Sequence, residues 1–183
     1  TKPVLRAMFL SRHFYHPAVM QSRIKSPAEL VVGAVRSLLA PVRDLSVLAQ
    51  GMDLMGQSLF YPPSVKGWDG GRSWVNTSTL FVRQNLLNYM LTGALPNGYE
   101  AAASRDAYDP TPLINGLERY QDGSATSAEA VARSLLSFTV GDESETAVAA
   151  LTDFAKTQGR RVNDQTITGM LVLVTAMPEY QLC

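Results

Sequence analysis

The chain has 183 residues, 46% of them hydrophobic, and a net charge of zero from 16 Lys+Arg and 16 Asp+Glu. That length holds one domain or two small ones with a sizeable core, and the composition argues against disorder. The absence of a basic surplus argues against a nucleic-acid binder. The single cysteine, Cys183, excludes an intrachain disulfide and a thiolate zinc site.

No apolar run reaches the roughly 20 residues of a membrane-spanning helix. Charged residues make up only 17%, against roughly 25% in an average domain, which points to a partner or further chain covering part of the surface. Thr1 opens almost directly into an amphipathic pattern, so the sequence reads as a piece or processed product of a longer chain.

The first expected helix, about Pro3–Arg12, has Val4, Leu5, Met8 and Phe9 as its inward face. His13 and His16 follow at a spacing of three, which on a helix suits a metal. No third ligand is evident and Pro17 comes next, so they are expected at a helix end, against free carbonyls. Ser26-Pro27-Ala28-Glu29 is a capping box: the Ser hydroxyl accepts from the N3 amide and the Glu reaches back to the cap amide. That helix runs to about Leu39 with Val31, Val35 and Leu38 on one face. Asp44 caps the next, where Leu45, Leu48, Met52, Met55 and Leu59 form a narrow seam.

Asn76 caps a helix carrying Leu80, Leu87 and Leu91, and Gly93 stops it. Thr126-Ser127-Ala128-Glu129 and Asp142-Glu143-Ser144-Glu145 read as two more capping boxes, opening helices that carry Val131, Leu135 and Phe138, and Val148, Leu151, Phe154 and Ala155. The last helix, from about Asn163, has Ile167, Met170, Leu171, Val174 and Met177 on one face and Val172 and Leu173 on the other, which makes it central. Strand patterning is absent. The expected fold is all-α, a multi-helix bundle of about seven helices with one long ordered loop. A helical unit 1–94, a linker 95–109 and a C-terminal tail 110–183 packed on the first unit complete the plan; a tail that short is marginal alone.

The loop 60–76 holds Pro62, Pro63, three glycines and both tryptophans. A connection this long inside a compact domain is functional or packed by its own side chains. Asp69-Gly70-Gly71 permits a tight turn that folds Trp68 and Trp74 towards each other, and Lys66 and Arg72 add cations, a platform for a sugar, a peptide or an anion. The competing expectation is that both indoles are wedged into the core and the loop merely wraps the helices. Beyond it, Asn76, Arg83, Gln84, Asn85 and Asn88 form a polar pocket floor, or else bond the loop's free carbonyls, with Arg83 reaching the loop or Asp53.

Asn76-Thr77-Ser78 also matches a glycosylation sequon, and Gly159-Arg160-Arg161 is a basic turn. Hydrolase, zincin, P-loop and dinucleotide signatures are missing, and no catalytic residue, cofactor or metal site is assigned.

Two passages together resemble a known family. Lys25-Ser26-Pro27-Ala28-Glu29-Leu30-Val31-Val32-Gly33 is followed by Met55-Gly56-Gln57-Ser58-Leu59-Phe60-Tyr61-Pro62-Pro63-Ser64-Val65-Lys66-Gly67-Trp68, continuing through Gly70-Gly71-Arg72-Ser73-Trp74-Val75-Asn76-Thr77 to Arg83-Gln84-Asn85. These resemble the C-terminal part of the bacterial domain-of-unknown-function family 1800, and the closing Met177–Leu182 resembles that family's ending. The resemblance implies a larger helical protein, often exported to the periplasm or cell envelope. Members are often encoded beside an exported family related to alkaline phosphatases and sulfatases, which implies an envelope protein partner. It assigns no catalytic residue, and the loop, Arg83 and Asn85 carry over only as motif positions.

The leading expectation is a non-catalytic scaffold or binding module that recognises a protein or glycan through Lys66, Trp68, Asp69, Arg72, Trp74, Asn76, Arg83 and Asn85. One alternative is the C-terminal half of a hydrolase-like envelope enzyme, with Asp53, Asp69, Arg72 and Arg83 lining a site that a missing N-terminal part completes. A second is a purely structural brace.

Overall fold

The computed structural model describes residues 1–16, 18–39, 43–94, 107–118, 127–159 and 162–183. The fold is all-α. Its helices are α1 (Lys2–Phe9), α2 (Pro27–Ser37), α3 (Leu45–Leu54), α4 (Thr77–Thr92), α5 (Thr111–Glu118), α6 (Ala128–Thr139), α7 (Glu145–Gln158) and α8 (Asp164–Ala176), with 3-10 turns at Gly71–Trp74 and Pro178–Gln181. Among the described residues the only extended pairing is an isolated bridge between Ile24 and Leu182.

Local cap chemistry fixes most of the starts. Ser26 Oγ accepts from the Glu29 amide at 3.3 Å while Glu29 Oε2 accepts from the Ser26 amide at 2.8 Å, completing the box that opens α2. Asp44 accepts from the Ser46 amide at 2.9 Å, and Asn76 and Thr79 close a reciprocal box on α4. Gly93, at φ 74°, ends α4 in the left-handed conformation.

The helices of the two other boxes start later than expected. α6 is capped one residue later than expected, by Ser127, whose Oγ accepts from the Ala130 amide; Thr126 lies outside the described residues. α7 begins at Glu145, with Ser144 at its cap position making no side-chain bond, so Asp142 is not the cap. Across the two helices the Arg133 guanidinium of α6 gathers Glu129 at 3.0 Å and Glu145 at 2.9 Å, with Glu143 at 3.9 Å.

One helix was not foreseen. α5 is opened by Asp109, which accepts from the Thr111 amide at 2.9 Å, and Pro112 stands in its first turn. Most of the segment expected as a linker, including Pro96 and Gly98, lies outside the described residues, as do Pro17, Arg160 and Arg161.

The core is one cluster. Leu30, Val31 and Ala34 of α2, Val47, Leu48 and Met52 of α3, and Leu86, Leu87, Met90 and Leu91 of α4 join the inner faces of α6, α7 and α8. As expected, α8 is central: it packs against α4, α6 and α7, and Met170, Leu171 and Val174 are fully buried. Two glycines allow close approach. A Cβ on Gly51 would sit 2.6 Å from Leu86 Cδ2, and one on Gly169 would sit 2.7 Å from Phe154 Cζ, so α3–α4 and α7–α8 contacts both depend on a missing side chain.

α1 departs most from expectation. It ends at Phe9 rather than Arg12 and has no buried residue; Val4, Leu5, Met8 and Phe9 are between 43% and 62% exposed. Periodicity identified an apolar face, but nothing among the described elements covers it. Leu45, Leu59, Leu80, Phe138 and Leu173 are likewise exposed where an inward position was expected.

Candidate functional site

The loop grows out of a fully formed helix stop. After α3 the Gln57 amide donates to Met52 O at 2.9 Å and the Gly56 amide to Asp53 O at 2.8 Å, the double bond of a Schellman motif, with Gly56 at φ 91°. Gln57 then turns its side chain to α2, where Oε1 accepts from the otherwise unpaired Ala28 amide at 2.8 Å. Ser58 donates to the Asp53 carboxylate. Both ends of the loop are therefore fixed: this stop at one side, the Asn76–Thr79 box at the other.

Between these anchors the chain swings outward. Phe60, at φ 62° and 98% exposed, is a large aromatic in a backbone region that normally costs a non-glycine residue about 1 kcal/mol or more. Tyr61 is 81% exposed and Val65 wholly so. Short turns return it: the Gly67 amide donates to Ser64 O at 2.9 Å, and the Lys66 amide to Ser64 Oγ at 3.2 Å. Gly70 and Gly71, both with positive φ, lead into the 3-10 turn, where Ser73 Oγ donates to Gly70 O at 2.8 Å.

The two tryptophans part company. Trp74 is buried, its carbonyl accepting from Thr79 Oγ1 at 3.1 Å, and its ring lies between Gly56 and Gly70, joining the loop's first and last turns. Trp68 is half-buried, and among the described residues the two indoles form no ring pair. The facing pair expected from the turn chemistry is thus absent: a buried Trp74 serves as the anchor, leaving Trp68 at the surface. Lys66, Asp69 and Arg72 are exposed, and among the described residues none of them is in an ion pair.

Arg83 reaches neither the loop nor Asp53. It is wholly buried, with Nη1 donating to Gln181 Oε1 at 3.2 Å and Nη2 to the Lys25 carbonyl at 2.8 Å; Nε has no hydrogen-bond partner among the described residues. Burial pulls its guanidinium below the usual arginine value. Lys25 is also lowered, chiefly by burial, and its Nζ donates to Tyr180 O at 2.7 Å while lying 4.5 Å from the Tyr180 ring centre. The backbones match: Lys25 N donates to Gln181 O, Arg23 N to Cys183 O and Cys183 N to Arg23 O. Arg83 and Lys25 therefore bind the 178–183 segment to the entry of α2.

Of the polar set on α4, Gln84 Nε2 donates to Asn88 Oδ1 at 3.1 Å, Asn76 is the cap, and Asn85 is half-buried. They do not gather with Arg83 beneath the loop. His13 and His16 lie beyond α1 in turns, and His16 Nδ1 accepts from the Ala18 amide at 3.2 Å. Lys25, Gln57 and Gln181 hold the arrangement together yet carried no local signal, since their partners are distant in sequence.

A match to the family described as "Protein of unknown function (DUF1800)" runs over residues 1–182. The chain belongs to the DUF1800 family. No curated protein and no solved structure matches it. In this DUF1800 chain the long motif therefore corresponds to a physical unit: a loop stapled to α2, α3 and α4 at its base, with Phe60, Tyr61, Val65, Lys66, Trp68, Asp69 and Arg72 at its surface.

Proposed function

We propose that this DUF1800 chain is a non-catalytic scaffold or binding module of an exported bacterial protein, and that its loop recognises a partner. One observation carries the reading. The loop is fixed at both ends and by buried Trp74, yet it holds Phe60 and Tyr61 out in solvent. A fixed loop loses little conformational entropy on binding, and exposed aromatics beside charged groups are the ingredients of an interface hot spot. Val65 favours a protein over a glycan, because exposed aliphatic surface beside the aromatic rings offers nothing to sugar hydroxyls. The hydrolase reading has less support: Asp53 holds Ser58, Arg83 holds Gln181 and Lys25, and neither faces Asp69 or Arg72 through a bond.

The test is tryptophan emission of the chain titrated with a purified envelope protein of the phosphatase- and sulfatase-related class that the family resemblance implies as a partner, and separately with soluble glycans. A saturable change is expected with the protein. It should weaken at least about tenfold in Phe60→Ala and in Arg72→Ala, both of which keep the two tryptophans, with the urea midpoint of each variant unchanged. Emission that no addition moves would sink the proposal and leave the structural brace.

A further inference from the structure

The charge of this chain is not evenly laid out. The first carboxylate is Glu29; residues 1–28 hold Lys2, Arg6, Arg12, Arg23 and Lys25 and no acid, leaving 11 basic against 16 acidic residues in the rest. A molecule of zero net charge is therefore split into a segment of +5 and a body of −5. Arg23 is paired with Glu29 and Lys25 with the Tyr180 carbonyl. Lys2, Arg6 and Arg12 stand in no ion pair among the described residues.

The same segment carries the exposed apolar surface noted for α1. At 100° per residue Val4, Met8, Leu5 and Phe9 span an arc of about 140°, with Lys2 and Arg6 on its flank. The face does not end with the helix: Phe9 meets Phe14 edge-on at 5.1 Å between ring centres, and Phe14 meets Tyr15 at 5.1 Å, with Val19 and Met20 also exposed beyond.

We propose that α1 and the turns following it dock on an anionic lipid bilayer surface, apolar face down, with Lys2, Arg6 and Arg12 at the headgroups. A like-charged face disfavours self-pairing of two copies through α1. A protein partner is selected by charges of both signs, which fix register. Cations with no anion across the whole segment give attraction without register, which suits a laterally uniform negative surface. A short amphipathic helix with flanking cations and a phenyl-rich apolar side has the chemistry of an interfacial element that lies on a membrane without crossing it.

The test is co-sedimentation of the full chain with vesicles of phosphatidylglycerol and phosphatidylcholine, against vesicles of phosphatidylcholine alone. Binding is expected to the first only, and to weaken as salt is raised. Met8→Asp should reduce it by about tenfold or more and Arg6→Gln by about fivefold. Neither residue is buried, so helix content and urea midpoint stay unchanged. Trp68→Ala, in the loop, leaves vesicle binding intact, so this proposal and the loop's role fail separately. Absence of binding to the anionic vesicles, equal binding to the neutral ones, or undiminished binding by Met8→Asp overturns it. Capture by polyglutamate without vesicle binding also overturns it, and assigns the face to an acidic polypeptide.

Discussion

α1 and α8 are both rich in apolar residues, yet they lie at opposite extremes of burial. α1 keeps its apolar residues on one side and buries none of them. α8 carries them nearly all round and buries six residues, Thr166, Ile167, Met170, Leu171, Val174 and Thr175. Their caps differ in the same direction: Asn163 accepts from the Thr166 amide at 2.8 Å at the start of α8, whereas Thr1 makes no side-chain bond at the start of α1. Periodicity tells which side of a helix is apolar. Whether that side is covered depends on neighbours that the helix's own sequence does not contain.

The sharpest way to break the comparison is to remove buried mass. Leu171→Ala in α8 should lower stability by about 2–5 kcal/mol, whereas Met8→Ala in α1 should stay within about 0.5 kcal/mol, both read from urea unfolding. A cost above 1 kcal/mol at Met8 would mean that α1 is covered after all. Next come the caps. Asn163→Ala should cost about 1 kcal/mol, and Thr1→Ala should leave the midpoint where it was.

The smallest effect is electrostatic and separates the body from the segment before it. Asp44, held down by the Ser46 hydroxyl and amide, and Glu145, held down by Arg133, both ionise below their ordinary range. The folded form thus binds fewer protons than the unfolded one near these groups' usual values. Their contribution is complete above about pH 5 and fades as acid carries the solution through the folded-state values. Urea midpoints from pH 6 down to 3 should fall, and Glu145→Gln should flatten part of that fall. Residues 1–28 hold no carboxylate of their own and enter this balance only through the bonds that Arg23 and Ser26 make to Glu29.

What could be read in advance was whatever chemistry stays within one helical turn. Ser26, Asp44, Asn76, Asn163 and Gly93 all terminate helices where their residue types predict, because a cap needs only atoms three or four positions away. The box expected at Asp142 gives way to a start at Glu145, a residue that Arg133 binds from 12 positions away. At the site the loop's extent was legible from composition, but the parting of the indoles was not, since they were expected either both in the core or facing each other. Trp74 follows the Gly70-Gly71 turn and falls back on Gly56, a contact set by the Schellman stop of α3. Arg83 was legible as a motif position only; its partners lie 58 and 98 residues away.

The pairing of residues 23–25 with 181–183 also bears on the order in which the chain folds. Cys183 and Arg23 are 160 positions apart, and closing a flexible loop of that length costs about 4.5 kcal/mol of chain entropy. Three backbone hydrogen bonds at about 1 kcal/mol each do not repay it. The seam therefore closes only after the helices between have docked and brought its edges together, and buried Arg83 and Tyr180 then hold it shut.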